Sequence, residues 1–375
     1  MLRKVTDNTY KVALSMLKGA TFDLLSHIQE RDMTLKEFFS FTDKKLRDAL
    51  HIQNAEFIDA SIRDKALKYA IKEEEFTDRH HIHIIFIEDN DYPSRLSAAA
   101  DPPLVLYMLG DCDLNCNEIL GVVGTRKISP YGADCERKII SELTGYIPEL
   151  CIVSGLAYGT DAIAHSGALE AGCPTVAVVA HGLDTIYPAN HRDLARRIIK
   201  GGGAIITEYP SGTPPYKGRF LQRNRIVACM TDATLIIESP IKGGAMSTAN
   251  HAFNENREVM AIPGRINDVM SEGCNHLIRK NKASLVTSAD DIMDLLSWKS
   301  RNGIRPAEVR ALFPELEGNN RIIYDSLRQL QQPVTPDSLR SMTGIAVGMI
   351  ISALTELEFE GLVMRHPGNR FSIAL

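Results

Sequence analysis

Leu120-Gly121-Val122-Val123-Gly124-Thr125-Arg126-Lys127 and Cys151-Ile152-Val153-Ser154-Gly155-Leu156-Ala157-Tyr158-Gly159-Thr160-Asp161 are the stretches that decide the fold. In each, a short apolar run ends in a glycine turn that opens an amphipathic segment. An unbroken apolar run suits a strand covered on both faces, the situation of a parallel sheet wrapped by helices. Similar runs recur at Thr175–Ala180, Ala204–Thr207, Thr234–Ile237, Val259–Ile262 and Ser284–Val286, bounded by Gly, Ser or Pro. The expectation is an α/β core with a mostly parallel sheet. Ligands of such sheets sit outside the carboxyl ends of the strands, so the residues just after each run carry the chemistry.

Working outward, residues 1–80 show helical periodicity (Val12, Leu17, Leu24, Leu25, Phe38, Phe39, Leu46, Leu50) with no strand-like run, and end in Glu73-Glu74-Glu75. Residues 81–297 form the sheet region. Residues 298–320, containing Lys299-Ser300-Arg301-Asn302-Gly303, read as a linker. Residues 321–375 give a helix over Ile322–Leu330, a capped helix from Thr335-Pro336-Asp337, a helix over Val347–Phe359, and a ribbon turned by Pro367-Gly368-Asn369. This is the pattern of a winged helix. Its recognition helix carries Glu356, Glu358 and Glu360 and no Lys or Arg, which favours protein interaction or regulation over phosphate binding.

The 375 residues are long enough for more than one domain. With 44% hydrophobic and 24% charged residues the composition is that of a soluble globular protein. No apolar run has the length of a membrane span, and the start is not a signal peptide, so a cytoplasmic location is expected. Seven scattered cysteines read as reduced thiols. Cys112 and Cys116 have no second Cys/His pair at zinc-site spacing, and no metal is expected.

The strongest binding signal is Phe220-Leu221-Gln222-Arg223-Asn224-Arg225. Arginines fork onto phosphates, an Asn amide bridges backbone or base, and a ring offers a stacking face. Between Arg192 and Arg225 there are eight basic residues against two acids, a local +6 in a chain of net charge −5. A localised nucleic-acid patch and a helix cap paired with surface acids both fit this octet. Phe220 has two readings as well, a base-stacking ring or an anchor for its helix.

Three glycine turns add to the patch. Gly124-Thr125 brings Arg126 to a strand end. Ser154-Gly155 with Gly159 opens a helix with free amides, and Lys242-Gly243-Gly244 does the same after the fifth run. Each turn alone is routine in this architecture. No G-x-G-x-x-G and no G-x-x-x-x-G-K-[ST] occurs, which argues against dinucleotide and P-loop chemistry. Asp161 and His165 share a helix face, yet an Asp near a helix start more often caps it. His81 and His83 alternate as metal ligands would, without a partner cluster.

These residues resemble the DNA-processing protein A (DprA, or Smf) family. The resemblance is strong over about 88–290 and rests on ordered motifs. They are Asp91-Tyr92-Pro93, Asp101-Pro102-Pro103, Gly124-Thr125-Arg126, Ser154 to Asp161, Gly182-Leu183-Asp184 with Tyr187-Pro188, Glu208-Tyr209-Pro210, Phe220 with Arg223-Asn224-Arg225, and Pro263-Gly264 with Gly273-Cys274-Asn275-His276. It implies an extended Rossmann-like core that dimerises, a small amino-terminal domain of SAM or helix-hairpin-helix type, and a carboxy-terminal winged helix. It further implies single-stranded DNA held in a basic pocket and loading of a RecA-type recombinase during natural transformation, without cofactor or catalysis. By position, Arg126, Phe220, Arg223, Asn224, Arg225 and Lys242 become the DNA contacts, with Lys217 beside them.

The chain departs from the family pattern at Lys242-Gly243-Gly244-Ala245, at Thr160, and at His181, which sets an imidazole near the pocket. In the amino-terminal module Lys18-Gly19-Ala20-Thr21 replaces a Gly-x-Gly hairpin, so no duplex binding is expected there. Two rivals remain. A phosphoribohydrolase of the same superfamily needs a Glu near the end of its glycine loop, where this chain has Asn250 and His251. A winged-helix regulator with a ligand-sensing core needs a basic recognition helix.

Overall fold

The computed structural model describes residues 5–301, 316, 318–330, 333–359, 362–366 and 369–373. Nine strands make one sheet: β1 (His83–Phe86), β2 (Val105–Gly110), β3 (Ile119–Val123), β4 (Cys151–Ser154), β5 (Thr175–Val178), β6 (Ala204–Thr207), β7 (Ala233–Ile236), β8 (Glu258–Ala261) and β9 (Ser284–Leu285). Their order is β1-β2-β6-β5-β4-β3-β7-β8-β9. Pairing is parallel from β6 across to β9. The order reverses beside β3, whose neighbours are β4 and β7, so the turns after these strands part there and leave a crevice.

Burial on both faces explains the unbroken apolar runs. Ile119 and Val123 of β3 face a core shared with Ile226, Met230, Ala245 and Ala249. Leu120 and Val122 face the opposite core, against Ile139, Ile140, Leu143, Ala164 and Ala168. The first set belongs to the helix Lys217–Cys229 with its cap residue Met230 and to Gly244–Asn254, the second to Pro130–Tyr146 and Thr160–Glu170.

β1 and β2 were not among the seven expected strands. They pair antiparallel with each other, and β2 antiparallel with β6. An antiparallel strand needs no crossover helix, so the turn-then-helix signature that betrays β3 to β9 is missing after them.

In the amino-terminal region the helices Asp7–Ser15, Phe22–Gln29, Leu35–Ser40 and Asp43–Leu50 begin at Thr6, Thr21, Thr34 and Thr42, each hydroxyl accepting from a backbone amide of the first turn. The longer helix Ala60–His80 follows, capped by Asp59. Arg63 is fully buried and donates to the carbonyls of Phe41, Phe57 and Ile58, tying its helix to two other segments. The helices' core runs on into Phe86 of β1 and Val105 and Tyr107 of β2. Residues 1–80 and the sheet accordingly lie in one compact unit, which extends to residue 303, and a second unit starts at 304.

Of the expected linker 298–320, residues 302–315 and 317 lie outside the described residues. Trp298 packs on the core of the first unit, and Arg301 pairs with Glu118 and Glu149. The second unit contains the helices Gly318–Leu330, Pro336–Thr343 and Val347–Phe359 and the antiparallel ribbon β10 (Val363–His366) and β11 (Arg370–Ile373). Val334 bridges to Phe371, and Leu327, Leu339, Leu354 and Leu357 fill the centre, completing a winged helix. Pro367, Gly368 and Glu360 lie outside the described residues. Among the described residues no single helix is long and apolar enough to cross a membrane.

Glu73 of the long amino-terminal helix is buried and accepts from Ser211, from its backbone N at 2.8 Å and from its hydroxyl. Burial pushes its carboxyl above the usual range and the Ser211 bonds oppose that. Ser211 lies in the loop that leads to the helix Lys217–Cys229. Glu73→Ala is expected to destabilise the first unit by about 2 kcal/mol, read as a lower urea midpoint at unchanged slope.

Candidate nucleic-acid interface

The crevice at the carboxyl edge of the sheet is a cleft of about 420 Å³, lined by residues of four chain segments. Two backbone contacts hold its turns together. Thr125 N donates to Glu238 O at 2.7 Å, joining the turns after β3 and β7. Thr160 N donates to Thr125 O at 3.3 Å, joining those after β3 and β4. The approach is so close that a Cβ on Gly124 would collide with Thr160 and with the Glu238 carbonyl. Gly159, at φ +74°, lies against the backbone of Thr125 and Arg126.

The helices Thr160–Glu170 and Gly244–Asn254 open behind Gly159 and Gly243, neither with a side-chain cap, whereas the nearby helix Pro130–Tyr146 is capped by Ser129. First-turn amides without a cap favour an anion. On the facing wall runs the helix Lys217–Cys229, presenting Lys217, Phe220, Leu221, Arg223, Asn224 and Val227 to the cleft.

The side chains singled out in sequence divide into three groups. Arg126, Lys217, Phe220 and Asn224 reach the cleft surface, Arg126 and Lys217 exposed. The Arg126 guanidinium lies 5.5 Å from the centre of the Phe220 ring, and Tyr187 packs on the same ring at 5.6 Å. Asn224 donates to Gly244 O at 3.3 Å across the cleft. Phe220 is half-buried, between cleft and loop rather than in the core.

Arg223 forms the floor. It is 4% exposed, donates to the Val178 carbonyl at the end of β5, and fills the space beside Gly155, where a Cβ would strike its guanidinium. Burial pulls it down to about 10, with Asp161 opposing, so it stays charged at neutral pH. Asp161 is itself buried and accepts from Ala157 N at 3.1 Å. Burial raises its carboxyl and Arg223 lowers it.

The third group stands apart from the cleft lining. Arg225 pairs with Glu208 at 2.5 Å and Asp101 at 3.3 Å. Lys242 is exposed on the turn beside the cleft. The Ser154 hydroxyl donates to Val122 O at 2.6 Å inside the sheet. Of the turn residues, Gly124, Thr125, Gly155, Gly243 and Gly244 do line the cleft.

Other candidates are accounted for by packing. His165 is fully buried, bonded to Thr175 Oγ1 at 2.7 Å, and burial drives its pKa to about 3. His181 is buried too: one ring nitrogen meets Gly182 O at 2.9 Å and the other accepts from Tyr187 N at 3.2 Å, so the imidazole braces the loop that carries Tyr187 onto Phe220. Glu238 is 1% exposed and accepts from Ser129, N at 2.8 Å and Oγ at 2.5 Å, at the start of Pro130–Tyr146. Reading the residues singly missed Leu221, Ala157 and Thr248 in the lining, whose types carry no binding signal.

Behind the cleft, Glu136 is fully buried, and burial reinforced by the charge of Asp161 lifts its carboxyl well above 4.5. A raised folded-state value means its protonated form stabilises the fold at low pH, and that contribution is lost as pH climbs from 4.5 through the higher folded value. Glu136→Gln is therefore expected to raise the melting temperature at pH 8 and to flatten the fall of stability above pH 4.5, measured by thermal scans across pH.

Residues 83–297 match the model of the DNA recombination-mediator protein A family, and residues 306–369 match that of the DprA winged helix domain. Protein Smf of Synechocystis is 33% identical over 317 residues, 76% of this chain and 78% of its own. The crystal structure of DNA processing protein A from Streptococcus pneumoniae superposes with a TM-score of 0.64 at 32% identity, covering 78% of this chain and 98% of that one. DNA processing protein A from Helicobacter pylori, solved for its unique single-stranded DNA binding mode, gives a TM-score of 0.52 at 31% identity over 58% of this chain and 95% of that one.

Proposed function

This chain belongs to the DNA recombination-mediator protein A family, and we propose that its cleft holds single-stranded DNA. The observation that carries the reading is the joint placement of the Arg126 guanidinium and the Phe220 ring at a cleft mouth flanked by uncapped helix starts. Phosphates bind Arg126 and Lys217 beside the positive ends of the helices Thr160–Glu170 and Gly244–Asn254. A base stacks on Phe220, backed by Tyr187, and the Asn224 amide bridges to base or backbone. Lys242 meets the strand as it leaves the cleft. Arg223 contributes charge from below, and Arg225 supports the helix through Glu208 and Asp101.

In this reading the protein is a cytoplasmic recombination mediator without catalytic turnover. It acts as a homodimer through its Rossmann-like core, covers incoming single strands during natural transformation, and passes them to a RecA-type recombinase. A hydrolase finds little support in the site: the Glu238 carboxylate is engaged by Ser129, and His165 is sealed in the core.

A ring and backbone-directed cations tolerate any base, so labelled poly-dT is expected to bind more tightly than blunt duplex, with affinity falling as salt rises. Equal affinity for the two would overturn the proposal. Arg126→Ala and Lys217→Ala should each flatten the log–log salt slope by about 0.7, one phosphate's counterion. Phe220→Ala should cost about 1–3 kcal/mol of binding with the slope unchanged. Arg225→Ala should instead lower the melting temperature, because it strands the half-buried Glu208 carboxylate.

A further inference from the structure

The long amino-terminal helix Ala60–His80 buries one face, with Arg63, Ala66, Ala70, Glu74 and Thr77, and leaves the other to solvent. At 3.6 residues per turn, Tyr69, Phe76, Lys65, Lys72, Arg79 and Lys68 fall side by side in a sector of about 100° that contains no carboxylate. Lys65, Lys68, Lys72 and Arg79 are exposed, and so is Tyr69, at 65%. Asp64 and Glu75 flank the sector, yet among the described residues none of the three lysines has a carboxylate within ion-pair distance. Lys72 lies instead over the Tyr69 ring, its Nζ 5.8 Å from the ring centre. Arg126 and Phe220 make the same pairing of cation and ring at the cleft mouth.

Two contacts hold this face beside the loops of the cleft. Glu73, one turn on from Tyr69, accepts from Ser211 N at 2.8 Å. From Ser211 the loop runs through the exposed Tyr216 to Lys217 and Phe220 in the cleft lining. Leu183 packs on the core of the amino-terminal helices, and its loop carries Tyr187, whose ring lies on Phe220. The acids at this seam are already engaged, Glu73 by Ser211 and Asp184 by Gly212 N at 2.8 Å. Rings and cations therefore alternate outward from the cleft: Phe220 and Lys217, then Tyr216, then Tyr69 with its lysines. A single strand is held by such an alternation, since each ring offers a face to a base and each cation meets a phosphate.

We propose that a single strand leaving the cleft over Tyr216 continues along this face of the helix Ala60–His80, with phosphates on Lys65, Lys68 and Lys72 and a base stacked on Tyr69. The inference rests on the reading of the cleft as a single-strand site and extends it to a second surface in the amino-terminal helices. Duplex DNA gains less from the same face, because its bases are paired and stacked and leave none for Tyr69. Preference for single strands over duplex accordingly grows with the length of the strand.

The test uses the full chain and two labelled oligo-dT strands, one of about 6 nucleotides to occupy the cleft alone and one of about 24 to reach the helix. The combined variant Lys65→Ala, Lys68→Ala, Lys72→Ala is expected to weaken binding of the longer strand by about tenfold or more and to flatten its log–log salt slope by about 2. Binding of the shorter strand should stay as in the unaltered chain. Tyr69→Ala should weaken the longer strand by about tenfold at unchanged slope, and Tyr69→Phe should restore it. Lys138→Ala, on the exposed side of the helix Pro130–Tyr146, should change neither. The three lysines are exposed, so an unchanged melting temperature confirms that the variant is folded. The inference is overturned if the triple variant binds the longer strand as the unaltered chain does, or if both lengths lose affinity equally, and the cleft reading then stands. Failure of the unaltered chain to prefer either strand over blunt duplex would instead remove the cleft reading itself.

Discussion

A charged guanidinium buried beneath the cleft is the constraint on which the architecture around the site depends. A buried charge is costly unless it is paired and hydrogen-bonded, and Arg223 answers this with the Val178 carbonyl on one side and the buried Asp161 on the other. Those partners sit at the end of β5 and on the first turn of Thr160–Glu170, so one side chain ties the helix Lys217–Cys229 to two turns of the sheet. Gly155 follows from the same demand, since any side chain there would occupy the guanidinium's space. Once that helix is seated, Phe220 and Asn224 reach the cleft mouth and Arg225 comes to Glu208 and Asp101.

A second layer of support comes from chain segments distant in sequence. His181 bonds the Tyr187 amide and sets the ring that backs Phe220. Glu73, on the long amino-terminal helix, holds Ser211 in the loop that feeds the helix Lys217–Cys229. The amino-terminal helices share a hydrophobic core with β1 and β2, so their packing and the cleft are parts of one folded unit.

The basic cluster shows where counting charges stops being informative. Of the eight basic residues between Arg192 and Arg225, four lie on the helix Arg192–Lys200, exposed and away from the cleft lining, and Arg196 pairs with Asp193 on its own helix. Arg219 donates to Pro214 O at 2.6 Å and lies over Tyr209. Lys217 and Arg223 belong to the lining, together with Arg126 from a strand end nearly a hundred positions earlier in the chain. A local excess of charge and a concave site coincide only partly, because the lining is gathered from turns after β3, β4 and β7.

The local pattern by itself determined the parallel part of the sheet, the turns at its carboxyl edge, the amino-terminal helices with their threonine caps and the winged-helix tail. Each depends on periodicity, on glycine or on a capping residue within a few positions, which is information a short window contains. Tertiary structure alone decided that Arg223 faces inward while Arg225, two residues on, meets Glu208 and Asp101, since helical geometry turns successive positions to different neighbours supplied by distant segments. It also decided that β1 and β2 join the sheet antiparallel, a pairing settled by the open edge of β6 and the helices packed beyond it.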